Sequence, residues 1–321
     1  MPLARCVVRT FLIGMSVVGA GAVSGQTFPS KPIRIVTSPV GGTNDIMARL
    51  IAQETAGSLG TPVIVDNRGG GGNVYGDVVA RAAPDGYTLL VTGNSFWTGP
   101  LLRKAPFDPV TDFSAITLAT TSPNVVVVHP SLPVKSIKEL IALAKARPGE
   151  LNYSSGELGS GTHLAGELFD FMAGVRMVRI PYKGAGPALT GVITGEAQVM
   201  FAIAGSAMTH VKSGRLRALA VSSPQPTALA PGLPTVAAAG LPGYEALQIQ
   251  GVWAPARTPA AIVSRLHDEI VRVLNRPDVK KRLFTNGVEV VGSSPKEFAA
   301  FIGADTVKLR KLIRDVGIKA N

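Results

Sequence analysis

The chain predicts an α/β protein built as two lobes, with mostly parallel sheets, helices on both faces and a hinge of crossing strands. Three observations lead there. Short apolar runs rich in Val, Ile and Leu alternate with amphipathic stretches along nearly the whole length, which is the order of βαβ units. The 321 residues, 46% of them hydrophobic, exceed one ordinary domain and can fill more than one core. A strand, a glycine-rich turn and a helix start occur twice, over residues 33–46 and again over 151–171, once for each lobe.

Residues 1–26 stand apart. Arg5 and Arg9 precede an apolar run over 11–20 and then small residues, the order of a secretory signal peptide. The run is too short for a permanent membrane anchor. Cys6, the single cysteine, precedes it and is expected to leave with it. That excludes disulfides, thiolate metal sites and cysteine nucleophiles from the mature chain. Losing Arg5 and Arg9 lowers the formal charge from +11 to +9, a bias towards anionic partners. Apart from Lys280-Lys281-Arg282 and Arg310-Lys311 the basic residues are scattered, without interleaved aromatics, so no nucleic-acid surface is expected.

In chain order, residues 33–37 read as a buried strand that stops at Pro39, turns through Gly41-Gly42 and starts a helix capped by Thr43 or Asn44. Such a junction points unpartnered N–H groups outward at the positive end of a helix dipole and attracts an anion. Residues 40–45 are therefore expected to form half of a carboxylate site; an ordinary tight connection is the plain alternative. Residues 62–66 form a second strand, and the Gly69–Gly72 run a flexible loop before a helix over 74–82. A third strand over 87–92 ends at Gly93-Asn94-Ser95, at the sheet edge where open parallel sheets bind ligands. Residues 113–120 and 124–128 read as two strands broken by Thr121-Ser122-Pro123, a crossing between lobes. A helix over 136–147 carries Ser136 as cap and Glu139 at the capping-box position.

The second strand–turn–helix unit runs through Ser154-Ser155, then Gly156 to Thr162 and His163. Strands at 177–180, 198–203 and 216–221 alternate with helices at 187–194 and 206–212. A strand over 247–254 crosses back, and helices over 259–274, 277–286 and 295–316 each carry proline near the first turn. The lobes are thus expected to be 27–122 with 251–321, and 123–250.

Most catalytic motifs fail. Gly156 to Gly161 has phosphate-loop spacing, but Thr162 stands where lysine is required. The nearest approach to GxSxG begins with Asn152 instead of glycine. No pair among His129, His163, His210 and His267 has i, i+4 spacing and there is no CxxC, so neither metal nor cofactor is expected. His163 is read as a residue that orders its loop, and Asp45 as a first-turn helix residue. A hydrolase would have only Ser154 or Ser155 with His163.

The chain resembles the solute-binding receptors of the tripartite tricarboxylate transporter family, the Bug receptors. The resemblance spans the mature region and rests on Phe28-Pro29-Ser30-Lys31-Pro32-Ile33, Gly41-Gly42 with Asp45, Asn67-Arg68, Pro84-Asp85-Gly86-Tyr87-Thr88-Leu89-Leu90 and Pro106-Phe107-Asp108. It continues through His129-Pro130-Ser131-Leu132-Pro133-Val134, Gly149-Glu150-Leu151-Asn152-Tyr153, Gly159-Ser160 with Thr162-His163-Leu164, Pro181-Tyr182-Lys183-Gly184, Leu216 to Val221, Pro234-Thr235-Val236 and Ala254-Pro255.

It implies a two-lobed periplasmic-binding-protein fold of type II kind, located in the periplasm, that closes on a small organic anion: a di- or tricarboxylate or an aromatic acid. The partner implied is a membrane permease, or alternatively a two-component sensor kinase, and the receptor is expected to be a monomer without catalytic residues. The resemblance carries ligand contacts onto Val40, Gly41, Gly42, Thr43, Asp45, Asn94, Ser95, Ser155, Gly156, Ser160, Thr162 and His163, through main-chain amides, hydroxyls and waters rather than arginine. Ala202 stands where the family often has aspartate, which fits a ligand without an ammonium group. Glu157 stands where it often has glycine, placed to repel a second carboxylate or bond a hydroxyl.

Overall fold

The computed structural model describes residues 28–40, 43–69 and 72–316. The leader reading of 1–26, Cys6, and the glycines Gly41 and Gly42 lie outside the described residues. The opening unit runs β1 (Ile33–Thr37), α1 (Thr43–Leu59), β2 (Val63–Asn67), α2 (Gly72–Ala80), β3 (Thr88–Gly93) and α3 (Ser95–Leu102). The chain continues with β4 (Phe113–Val128), α4 (Ile137–Ala146), β5 (Asn152–Ser155), α5 (Gly161–Ala173), β6 (Val178–Pro181), α6 (Ala185–Ile193), β7 (Val199–Ile203), α7 (Ala204–Lys212) and β8 (Arg217–Val221). It closes with β9 (Leu247–Pro255), α8 (Ala260–Leu274), α9 (Pro277–Thr285), β10 (Glu289–Val290) and α10 (Pro295–Val316).

The strands run in the order β2-β1-β3-β9-β4-β7-β5-β6, with β8 and β10 also on β4. β1 pairs in parallel with β2 and β3, and β5 in parallel with β6 and β7. β9 and β4 lie antiparallel between these two parallel sets. Each half is therefore a βαβ layer, and β4 and β9 are the strands that join them.

One expectation needs correction. Thr121-Ser122-Pro123 do not break the strand: β4 runs unbroken from Phe113 to Val128. Its partner changes there, from β9 up to Pro123 to β7 and β8 from Asn124 on. Proline lacks a ladder donor, and Pro123 sits at the changeover. A second element, α3, was not expected at all. It holds Gly99 and an internal Pro100 and buries Phe96, Trp97 and Thr98, so it shows neither helical periodicity nor a polar face.

Alternate residues explain the layers. Ile33 and Ile35 of β1 pack with α1 and α8 residues such as Leu50, Ile51, Leu266 and Ile270. Val36 points the other way, into a cluster with Tyr75, Phe96, Trp97, Trp253 and Phe298. In the second half Val126 and Val128 join Tyr153, Phe169 and Phe201, while Val125 and Val127 join Leu189, Val192 and Met200. With both faces covered, the strands read as continuous apolar runs. α5 belongs to both halves: Ala165 and Phe169 lie in the second-half core and Leu164 in the aromatic cluster of the first.

Candidate functional site

β1 and β3 are neighbours in one parallel set, so their C-terminal ends deliver the first turn and the 93–95 segment to one edge. Thr37 ties the two strands, its hydroxyl donating to the Val91 carbonyl at 2.7 Å. The start of α1 touches the end of β3: a Cβ on Gly93 would lie 3.2 Å from Asn44 Oδ1 and 2.8 Å from the Ile249 carbonyl. Asn94 pins this edge to the crossing strand, accepting from the Ile249 N–H at 3.0 Å and donating to the Leu247 carbonyl at 3.2 Å. Ser95 shares a 3.2 Å hydrogen bond with the Tyr75 hydroxyl.

Asp45 is 3% exposed, and its partners are protein groups. Its Oδ1 accepts from Asn67 Nδ2 at 2.8 Å and faces Arg49 Nε at 2.9 Å. Asn67 Nδ2 also donates to the Ser38 carbonyl at 2.8 Å. Asp45 thus anchors the first turn to β2. Val40 is 71% exposed and Thr43 half-buried at the start of α1.

The second turn is one hydrogen-bonded unit. Ser160 caps α5, accepting from the His163 N–H at 3.4 Å and pairing with Thr162 Oγ1 at 3.1 Å. Thr162 Oγ1 also accepts the Gly156 N–H at 3.0 Å, and His163 Nδ1 accepts the Gly159 N–H at 3.0 Å. These hydroxyls and the imidazole fix the loop, leaving the opening N–H groups of α5 as a helix start with no intrahelical acceptors. The second turn also meets α3: Thr98 Oγ1 donates to the Gly159 carbonyl at 2.7 Å.

Sequence reasoning missed three residues that support this unit. Arg179 on β6 donates from Nε to Ser155 Oγ at 2.7 Å and from Nη2 to the Gly156 carbonyl at 2.8 Å; burial is the main cause that lowers its pKa. Glu167 accepts from the Tyr153 hydroxyl and faces His163 Nε2 at 3.5 Å. Thr98 lies on the unforeseen α3. The available signal for Arg179 was a lone arginine inside a strand otherwise apolar, Met177 to Ile180.

Burial keeps the His163 ring below its ordinary pKa, with the Arg179 charge acting the same way and Glu167 against it. The Tyr75 hydroxyl is raised by burial first, and the charge of Glu157 adds to it. Glu157, exposed in the second turn, therefore acts electrostatically on the first half. Ala202 does not join the site. It is fully buried opposite Val125 in the core behind β7, so it offers no surface to a ligand.

No serine–histidine pair forms from the hydrolase candidates. Ser154 Oγ is buried without a partner, Ser155 Oγ is held by Arg179, and His163 Nδ1 is occupied by Gly159. Among the described residues no group of three or more His, Cys, Asp or Glu is placed to hold a metal. No helix among them is long and apolar enough to cross a membrane.

Residues 47–318 match the profile of the tripartite tricarboxylate transporter family receptor. Protein BugT of Bordetella pertussis is 35% identical over 320 residues, covering 96% of this chain and 97% of its own. A solved R. palustris protein with adipate is 32% identical, with a TM-score of 0.81 over 91% of this chain and 99% of its own. MatC of Rhodopseudomonas palustris, solved with bound malate, is 28% identical, with a TM-score of 0.80 over 89% of this chain and all (100%) of its own. The architecture is that of periplasmic binding proteins.

Proposed function

Because the chain belongs to the tripartite tricarboxylate transporter receptor family, a family of solute-binding receptors, we propose that it captures a small organic carboxylate between two closing lobes. The lobes in this reading are residues 27–122 with 251–321, and 123–250, joined by β4 and β9. The observation that carries the reading is the second turn, where hydroxyls and an imidazole lock the loop around the start of α5 and Thr98 joins it to the first half.

A carboxylate leaving water needs its lone pairs met again. Fixed main-chain amides at a helix start supply that without mobile side-chain charge. Adipate and malate, held by two relatives, favour an aliphatic dicarboxylate. The ligand contacts in this reading are Val40, Gly41, Gly42 and Thr43 from the first lobe, with Asn94 and Ser95. From the second come Gly156, Ser160 and Thr162, while Ser155, His163 and Asp45 hold the turns. A ligand that touches both lobes only when they are shut has different affinity for the two states and drives closure. A leader over residues 1–26, a monomer in the periplasm and delivery to a membrane permease complete the proposal.

A thermal-unfolding screen of residues 27–321 against mono-, di- and tricarboxylates and aromatic acids tests it. A ligand at about 100 times its Kd adds about 2.7 kcal/mol to folding stability. At least one dicarboxylate is expected to raise the melting temperature; a panel in which every acid leaves it unchanged would overturn the reading.

A further inference from the structure

Resting on the closure proposed above, we propose that the Thr98 hydroxyl and the Gly159 carbonyl form a latch that holds the lobes shut, and that His163 is the positioning residue that aims it. The bond joins residues 61 apart in the chain at 2.7 Å, one on α3 and the other in the turn before α5. Thr98 is fully buried, and Gly159 is buried. Gly159 has φ +76°, in the region that favours glycine. A Cβ there would lie 2.7 Å from Thr98 Oγ1 and 3.3 Å from Leu102 Cδ1. The close approach of the two lobes at this point therefore requires glycine.

The same glycine is held from behind, its N–H donating to His163 Nδ1 at 3.0 Å. An imidazole accepts at Nδ1 only when that nitrogen carries no proton, which leaves the hydrogen on Nε2, towards Glu167 Oε1 at 3.5 Å. Protonation at Nδ1 removes the acceptor, frees the Gly159 amide and loosens the carbonyl that Thr98 needs. The charged groups acting on the ring are Glu167 on its own helix and Arg179 on β6, and Glu167 is in turn bonded by the Tyr153 hydroxyl on β5 and felt by Asp170 on α5. Burial and the Arg179 charge hold the ring neutral against the pull of Glu167, so the latch is set at neutral pH and released on acidification.

The bond is worth most in the shut state. When the lobes part, water satisfies both partners; when they close, a missing hydroxyl leaves a buried carbonyl unmet. Removing it therefore shifts the balance between open and shut rather than weakening both alike.

The test uses residues 27–321, which contain no cysteine, with spin labels on Lys104→Cys and Lys183→Cys, both exposed and one in each lobe. Interlobe distance distributions are recorded by electron–electron resonance in buffer alone and with adipate. Thr98→Val is expected to lower the shut population about tenfold relative to the open one, in line with the cost of an unmet buried acceptor. Thr98→Ser, which keeps the hydroxyl, is expected to restore it. Acidification is expected to open the unsubstituted chain and to leave His163→Gln without that response. Should valine not fold at this position, Thr98→Ala is read in the same way. Distributions for the variants lacking the hydroxyl that match the unsubstituted chain in buffer would overturn the latch. Loss of the adipate response in the unsubstituted chain, with the buffer distributions behaving as expected, would instead count against adipate as ligand.

Discussion

Asp170 shows how one buried group sets a pH dependence. Its Oδ2 accepts the Met177 N–H at 2.7 Å, while Oδ1 is buried without a partner. Burial pushes its pKa up to about 7, and the charge of Glu167 adds to the shift. A carboxyl whose folded pKa lies above its unfolded value binds more protons when folded, so its contribution to stability falls as pH rises from about 4 to about 7. Asp170→Asn keeps an acceptor for Met177 and removes the charge. The variant is expected to be more stable than the parent by about 1–3 kcal/mol at pH 8 and nearly equal to it at pH 4.5, measured by urea unfolding. A difference that does not change with pH would contradict the assignment. Single residues were the least legible scale in the sequence. His163 was read both as an ordering residue and as a ligand contact; its Nδ1 accepts the Gly159 N–H, a partner within its own loop. The roles of Arg179 and Glu167 were not visible, since they depend on β6 and α5 packing over β5.

At the scale of elements, the first turn is held by a clamp rather than by its own composition. Asn67 at the end of β2 donates to Ser38 and to Asp45, and its Oδ1 accepts from Arg49 Nη2 at 3.0 Å. Asn67→Ala leaves the Ser38 carbonyl and the buried Asp45 carboxylate short of a donor, a cost of about 1–3 kcal/mol. It is expected to weaken carboxylate binding by loosening only the first turn. Hydrogen exchange should rise over residues 38–45 and stay unchanged over 156–163; equal rises in both would contradict the division into separately held turns. Strands and capped helices were legible because their signals are local. Ser136 does cap α4, accepting from the Glu139 N–H at 3.2 Å, although Glu139 reaches back to the Lys135 N–H instead of that of Ser136. α3 escaped because its residues are chosen for burial against Trp253 and Tyr75, which erases the polar face that marks a surface helix. Pro123 misled for the opposite reason: a local breaker was tolerated by a tertiary change of partner.

At the scale of the whole molecule, the repeated strand–turn–helix unit was the most informative pattern in the sequence. It brought out two βαβ layers, and the apolar runs with no polar alternation signalled sheets covered on both faces. The antiparallel placement of β4 and β9 between the parallel sets is a property of the assembled sheet, settled by pairings across more than a hundred residues. β4 and β9 lie side by side between the two parallel sets, and α10 packs on β4, α3 and α5. The central claim is that a carboxylate brings the two lobes together. Small-angle X-ray scattering of residues 27–321, with and without the acid that most raises the melting temperature, measures it directly. The radius of gyration is expected to fall on saturation with the acid; an acid that stabilises the fold while leaving the radius unchanged would contradict closure.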